Sequence, residues 1–186
     1  MVPITKFSPV PRYAFRGLTD VSPELLGRLG VRFLMLDLDN TVAAYSEGSP
    51  SDGVARWVAR AKGCGISLLI VSNSRRKERV ETFGKALGVG FVTGARKPSP
   101  KGVLMAMGSA GFPASESALI GDQAFTDALA ANRAGVLSVL VRPRRFTNPL
   151  LAIRYALEAP FRAMCRNKAF GAAERSGARG LQQRNL

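Results

Sequence analysis

Two aspartates, Asp37 and Asp39, stand two residues apart in Asp37-Leu38-Asp39-Asn40-Thr41, directly after the apolar run Phe33-Leu34-Met35-Leu36. Residues i and i+2 of an extended chain share a side, so both carboxylates face one way if that geometry persists through Asp39. Adjacent carboxylates repel, and a divalent cation that takes oxygen ligands relieves the repulsion. The other reading of such a pair, a solvated turn or helix cap, is disfavoured by the apolar residues before it. Ser72 ends a second apolar run, where its hydroxyl and the backbone amide of Asn73 can donate to an anion. Equally, Ser72 or Ser74 can cap the helix that follows. Lys97 lies in Ala95-Arg96-Lys97-Pro98-Ser99-Pro100, held extended on a loop by Pro98, and a point positive charge there suits a phosphate. Asp122 follows Gly121 at the end of another apolar run. Asp127, one turn later, adds a further carboxylate and a candidate partner for Lys97.

Such groups converge only if the elements carrying them are parallel strands. Apolar, β-branched runs at 31–37, 66–72, 90–93, 117–122 and 136–142 alternate with helix-like stretches at 51–64, 75–87, 100–110 and 123–133. That alternation predicts an α/β fold, a three-layer sandwich with a central parallel sheet. Nearly continuous apolar strands are expected where both sheet faces are covered. Gly88, Gly111 and Gly135 are placed to stop helices. Ligands of such sheets gather beyond the carboxyl ends of the strands, where Asp37, Asp39, Ser72, Asn73 and Asp122 all fall. The organisation read from the chain is an N-terminal arm and short helix (1–30), a core (31–146), a basic amphipathic segment (147–170) and a disordered tail (171–186).

The 186 residues include no histidine, which removes Ser-His-Asp and Cys-His nucleophile activation and histidine-ligated zinc. Chemistry is left to carboxylates, lysine and a hard cation held by oxygen, of which magnesium is the commonest. Cys64 and Cys165 have neither disulfide nor zinc spacing, so a reducing, cytoplasmic setting is expected. No stretch approaches the roughly 20 apolar residues that span a bilayer. Charge is lopsided: of a net +14, residues 142–186 hold +8, ten Arg or Lys against Glu158 and Glu174. A basic surface attracts nucleic acid, anionic lipid or phosphorylated substrates, or it is simply a solvated face. With no RNA-binding motif beside it, nucleic acid rests on charge alone.

In order, DLDNT, the strand-end serine, KP and GDxxxTD resemble the four motifs of the haloacid dehalogenase superfamily of phosphatases. The phrases LMLDLDNTVAAY, IVSNS, ARKPSP and IGDQAFTDALAANRAG are similar to the YqeG type of class IIIA of that superfamily, over roughly residues 15–161. Its relatives include mitochondrial and plastid phosphatidylglycerophosphate phosphatases. Ser74 departs from the pattern, since relatives more often carry asparagine there.

The resemblance implies that Asp37 is the nucleophile, forming an aspartyl-phosphate. Asp39 would be the general acid that protonates the leaving group and then the base that activates water. Magnesium would take the side chains of Asp37 and Asp122 and the backbone carbonyl of Asp39. Ser72, the Asn73 amide and Lys97 would cradle the phosphoryl oxygens, and Asp127 would hold water on the metal or orient Lys97. Cap domains of this superfamily are inserted after the first or second motif, and here neither interval has room. An open, capless site is therefore expected.

Open sites suit substrates that bring their own bulk: lipids at a membrane, macromolecules, or a small molecule enclosed by a neighbouring subunit in a homo-oligomer. Three functions compete. A magnesium-dependent phosphomonoesterase acting on phosphatidylglycerophosphate, at the inner face of a membrane, leads. A phosphatase for a soluble sugar phosphate or nucleotide, and a catalytically idle basic binding module, are the alternatives. Leu150, Leu151, Ile153, Leu157, Phe161 and Met164 interleave with Arg154, Arg162 and Arg166. They form an interfacial segment on anionic lipid or a helix packed on the domain.

Overall fold

A computed structural model describes residues 7–146 and 149–165. The tail expected at 171–186 lies outside the described residues, as does Arg166. Six parallel strands make one sheet: β1 (Tyr13–Phe15), β2 (Phe33–Leu36), β3 (Ser67–Val71), β4 (Gly90–Val92), β5 (Ser117–Gly121) and β6 (Leu137–Val141), in the order β1-β6-β5-β2-β3-β4. The strands expected from β2 onward are all present, each one to three residues shorter than its apolar run. The arm supplies something the sequence did not signal. Tyr13–Phe15 pairs with Val139–Val141 and closes the sheet edge, while Asn132 Nδ2 donates to the carbonyls of Ser8 and Val10.

Alternation along β2 explains its unbroken hydrophobicity. Leu34 and Leu36 pack with Val54, Trp57 and Val58 of α2 (Asp52–Gly63) and Val80 and Phe83 of α3 (Lys77–Leu87), beside Leu26 of α1 (Pro23–Arg28). Phe33 and Met35 point the other way, onto Val103 and Met107 of α4 (Lys101–Ala110) and Ala130 and Ala131 of α5 (Leu129–Ala134). Both faces are therefore dry, which gives the three-layer sandwich. Helix ends follow local chemistry. The Ser22 hydroxyl accepts from the Leu25 amide ahead of α1, with Pro23 in the first turn. Gly88, Gly111 and Gly135 take the left-handed conformation that closes α3, α4 and α5.

From β2 the chain winds outward to β3 and β4, then returns to β5 beside β2 and winds the other way to β6. The reversal leaves a crevice at the carboxyl ends of β2 and β5, where doubly wound sheets bind ligands. No domain interrupts the core: residues 41–51 form a short loop and bridge, and only α3 separates β3 from β4. Beyond β6, α6 (Pro149–Leu157) and α7 (Ala159–Met164) follow. No helix among the described residues is long and apolar enough to cross a membrane.

Candidate active site

Register delivers the acids to the crevice. Leu36 is paired with Ile120 on one side and Ile70 on the other, and the Asp37 amide donates to the Ile120 carbonyl at 2.8 Å. Asp37 therefore stands beside Val71 and Gly121, and Ser72 and Asp122 follow one residue further along the two flanking strands. Asn40, with φ 64°, turns the chain immediately after the carboxylate pair, a left-handed conformation that asparagine tolerates better than most residues.

Asp37, Asp39, Ser72, Asn73, Lys97 and Asp127 line one small cavity of about 60 Å3, together with Tyr45, Ser74, Gln123 and Thr126. Asp122 lies just beneath: one carboxylate oxygen from each of Asp37, Asp122 and Asp127 falls within 4.8 Å of the others. All the predicted site residues are thus brought together. A larger cavity of about 300 Å3, lined by Arg12, Asn132 and Ser138 among others, opens near the amino end of β6 and contains none of these acids.

Lys97 is the counter-charge. Its backbone stays on the loop, as expected, but its side chain is buried. Nζ lies 2.6 Å from Asp37 Oδ1 and 2.7 Å from Asp127 Oδ1, and donates to the Val71 carbonyl at 2.8 Å. Asn73 fixes the loop that carries it, donating to the Lys97 carbonyl and accepting from the Lys97 amide. Ser72 and Ser74 do not cap α3, whose N-cap is Arg76 with no side-chain bond. Instead the Ser72 hydroxyl accepts from the Ser74 amide at 3.0 Å and stays in the cavity wall.

The helix expected from 123 begins as a wide π-helical turn, Ala124–Ala128, before α5. That turn points Asp127 back over Gly121: a methyl group at residue 121 would stand 2.2 Å from Asp127 Cγ. Asp127 Oδ2 also accepts from the Gln123 amide at 3.1 Å. Its other oxygen, Oδ1, lies 2.7 Å from Lys97 Nζ.

Burial pushes the Asp37 carboxyl up to about 7; Lys97 opposes the rise while Asp127 and Asp39 add to it. Burial, then the charges of Asp37 and Asp127, lifts Asp122 well above its ordinary value. For Lys97, burial pulls downward, but the charges of Asp127 and Asp37 outweigh it and hold the ammonium above its ordinary value. Three buried carboxylates against one ammonium leave two formal negative charges uncompensated. Both oxygens of Asp122 have no hydrogen-bond partner. A hard divalent cation fits this donor set in charge and in ligand type.

One contributor carried no sequence signal. Arg79 of α3 reaches across to Asp39, with Nε 3.2 Å from Oδ1, and donates to the carbonyls of Ala44 (2.8 Å) and Glu47. Glu47 in turn accepts from the Ala44 amide and pairs with Arg144. An arginine amid other charged residues of a helix looks like a solvated position; only the fold shows that it faces the site.

The haloacid dehalogenase-like hydrolase family matches residues 13–135, about two thirds of the chain. A curated relative, "Probable phosphatase YqeG" of Bacillus subtilis (strain 168), is 32% identical over 134 residues, covering 72% of this chain and 77% of that protein. Two solved structures share the fold at a TM-score of 0.50. A putative 3-deoxy-D-manno-octulosonate 8-phosphate phosphatase from Vibrio cholerae is 21% identical (72% of this chain, 77% of that one). A hypothetical protein from Xanthomonas campestris is 18% identical (75% and 79%). With the family match spanning the sheet from β1 to the end of α5, and the ordered strand-end motifs meeting in one crevice, the chain belongs to the haloacid dehalogenase-like hydrolases.

Proposed function

We propose that the protein is a magnesium-dependent phosphomonoesterase that works through an aspartyl-phosphate, with phosphatidylglycerophosphate as its leading substrate and the inner face of a membrane as its place of work. The observation that carries the catalytic part is the meeting of Asp37, Asp122, Asp127 and Lys97 at the point where the sheet reverses its winding. Asp37 attacks phosphorus, a bond forms between its carboxylate oxygen and phosphorus, and the bond to the ester oxygen breaks. Asp39, in the same cavity wall, gives its proton to the departing alkoxide. It then takes a proton from the water that attacks the aspartyl-phosphate, freeing inorganic phosphate and restoring Asp37. Lys97, the Ser72 hydroxyl and the Asn73 amide stabilise the transferred oxygens without having to reorganise, because their loops are already pinned. Asp37, Asp122 and the Asp39 carbonyl would hold the magnesium ion, which supplies positive charge against the phosphoryl oxygens. Asp127 keeps Lys97 aimed.

The lipid part draws on the capless cavity, which encloses little beyond a phosphoryl group, on the basic C-terminal quarter and on the resemblance of the motifs. A binding module would have no use for a nucleophile and an acid-base carboxylate in one cavity. A phosphate-release screen over lipid, sugar and nucleotide phosphomonoesters, with magnesium and with chelator, tests the whole reading. Turnover of phosphatidylglycerophosphate above soluble esters is expected; preference for a sugar phosphate or nucleotide replaces the lipid, and no release from any ester removes the enzyme.

A further inference from the structure

The helices α6 and α7 have two unlike faces. The inner face is docked: the Phe125 amide donates to Glu158 Oε1 at 3.3 Å, Phe125 and Phe161 meet edge to face at 5.2 Å, and Arg142 Nε donates to the Tyr155 hydroxyl at 3.1 Å. Glu158 is 1% exposed and also pairs with Arg162. The outer face is bare. Leu150, Ile153 and Leu157 are 76%, 56% and 63% exposed, and their spacing of three and four residues puts them on one stripe of α6. No described residue covers them.

The charge around this stripe is mainly positive: Arg144 is paired with Glu47 and Arg162 with Glu158, which leaves Arg142, Arg145 and Arg154 to supply it. Between residues 142 and 165 there are five arginines, Arg142, Arg144, Arg145, Arg154 and Arg162, and the only acid, Glu158, is buried beneath the helices. A second copy of a chain with net charge +14 would be repelled there. Single-stranded nucleic acid would match the charge but not the aliphatic stripe, because it stacks on aromatic rings. An anionic bilayer matches both, with headgroups for the arginines and acyl boundary for leucine and isoleucine. The segment leading into α6 also borders the site: the Arg144 amide donates to the Asn40 carbonyl at 3.0 Å, and its guanidinium lies 3.1 Å from Glu47 on the loop that follows Asp39.

We propose that the outer face of α6, through Leu150, Ile153, Leu157 and the neighbouring arginines, rests on an anionic membrane and sets the mouth of the Asp37 cavity against phosphate groups at its surface. The orientation toward substrate rests on the phosphomonoesterase reading; the membrane contact does not.

The test is co-sedimentation of the full chain with phosphatidylcholine vesicles, with and without phosphatidylglycerol, at low and high salt. It is run beside a variant carrying Leu150→Ser, Ile153→Ser and Leu157→Ser. Binding only to the anionic vesicles, weakened by salt and reduced about tenfold or more in the variant, is expected. The variant should melt at the wild-type temperature and hydrolyse para-nitrophenyl phosphate at the wild-type rate. No binding, equal binding to neutral vesicles, or undiminished binding by the variant overturns the surface, and so does a dimer that the three substitutions dissociate. Membrane binding without release of phosphate from lipid monoesters keeps the surface and overturns the lipid substrate. Hydrolysis of soluble esters without binding overturns the surface and keeps the phosphomonoesterase.

Discussion

Arg79 Nε stands 3.2 Å from Asp39 Oδ1. The same guanidinium donates to the carbonyls of Ala44 and Glu47 and lies over the ring of Phe83 at 4.9 Å. One side chain of α3 thereby ties the proposed proton donor to the loop that follows it. Arg79→Ala should lower kcat about tenfold to a hundredfold with a smaller change in KM, since it displaces Asp39 without touching the phosphoryl cradle. Arg79→Lys should recover part of the loss. Because both act through one carboxylate, Asp39→Asn and Arg79→Ala should not add in the double variant; full additivity would separate them.

Asp37→Asn should abolish turnover and any acid-stable, hydroxylamine-sensitive phosphoryl label on the protein. Asp39→Asn should still transfer phosphorus from esters with good leaving groups and fail with poor ones, because the missing proton matters only when the alkoxide is basic. Single-turnover rates of phosphoryl transfer across a series of phenyl phosphates check this, and a uniform loss of that step along the series would contradict the acid role.

Gly121→Ala should misplace Asp127, whose Cγ occupies the space of the new methyl group at 2.2 Å. Backbone and carboxylate must both shift, so we expect about 1–3 kcal/mol of destabilisation in a denaturant titration. A fall in activity beyond the unfolded fraction should accompany it. Wild-type stability and turnover together would mean that the turn relaxes freely.

Asp37 has a folded-state value near 7 against an ordinary 3.8. Between those values the folded chain holds more protons than the unfolded one, so the contribution of Asp37 to stability falls as pH rises through that window. Asp122 is shifted in the same direction. Magnesium, by offsetting these charges, should raise the melting temperature more at pH 8 than at pH 5, and Asp122→Ala should shrink that difference. Equal shifts at both pH values would remove the cation from this cluster.

What the linear chain determined by itself was local. Apolar runs marked five of the six strands, glycines marked three helix ends, and polar residues at the strand ends marked the site, because periodicity and backbone sterics act over a few residues. The exclusion of imidazole chemistry needed only composition. Tertiary structure decided what depends on pairing between distant segments. Tyr13–Phe15 is too short to be read as a strand until β6 offers it a ladder. The placement of Asp37 beside Asp122 follows from β5 returning to pair with β2, a register set more than eighty residues away in sequence. The wide turn at 124–128 and the reach of Arg79 to Asp39 likewise belong to the packed chain. The amphipathic segment after β6 left docking and exposure both open. Burial of Glu158, and the packing of the partly buried Phe161 on Phe125, assign one face to the core, because a buried carboxylate holds its place only where its hydrogen-bond partners are, and that choice leaves Leu150, Ile153 and Leu157 on the outside.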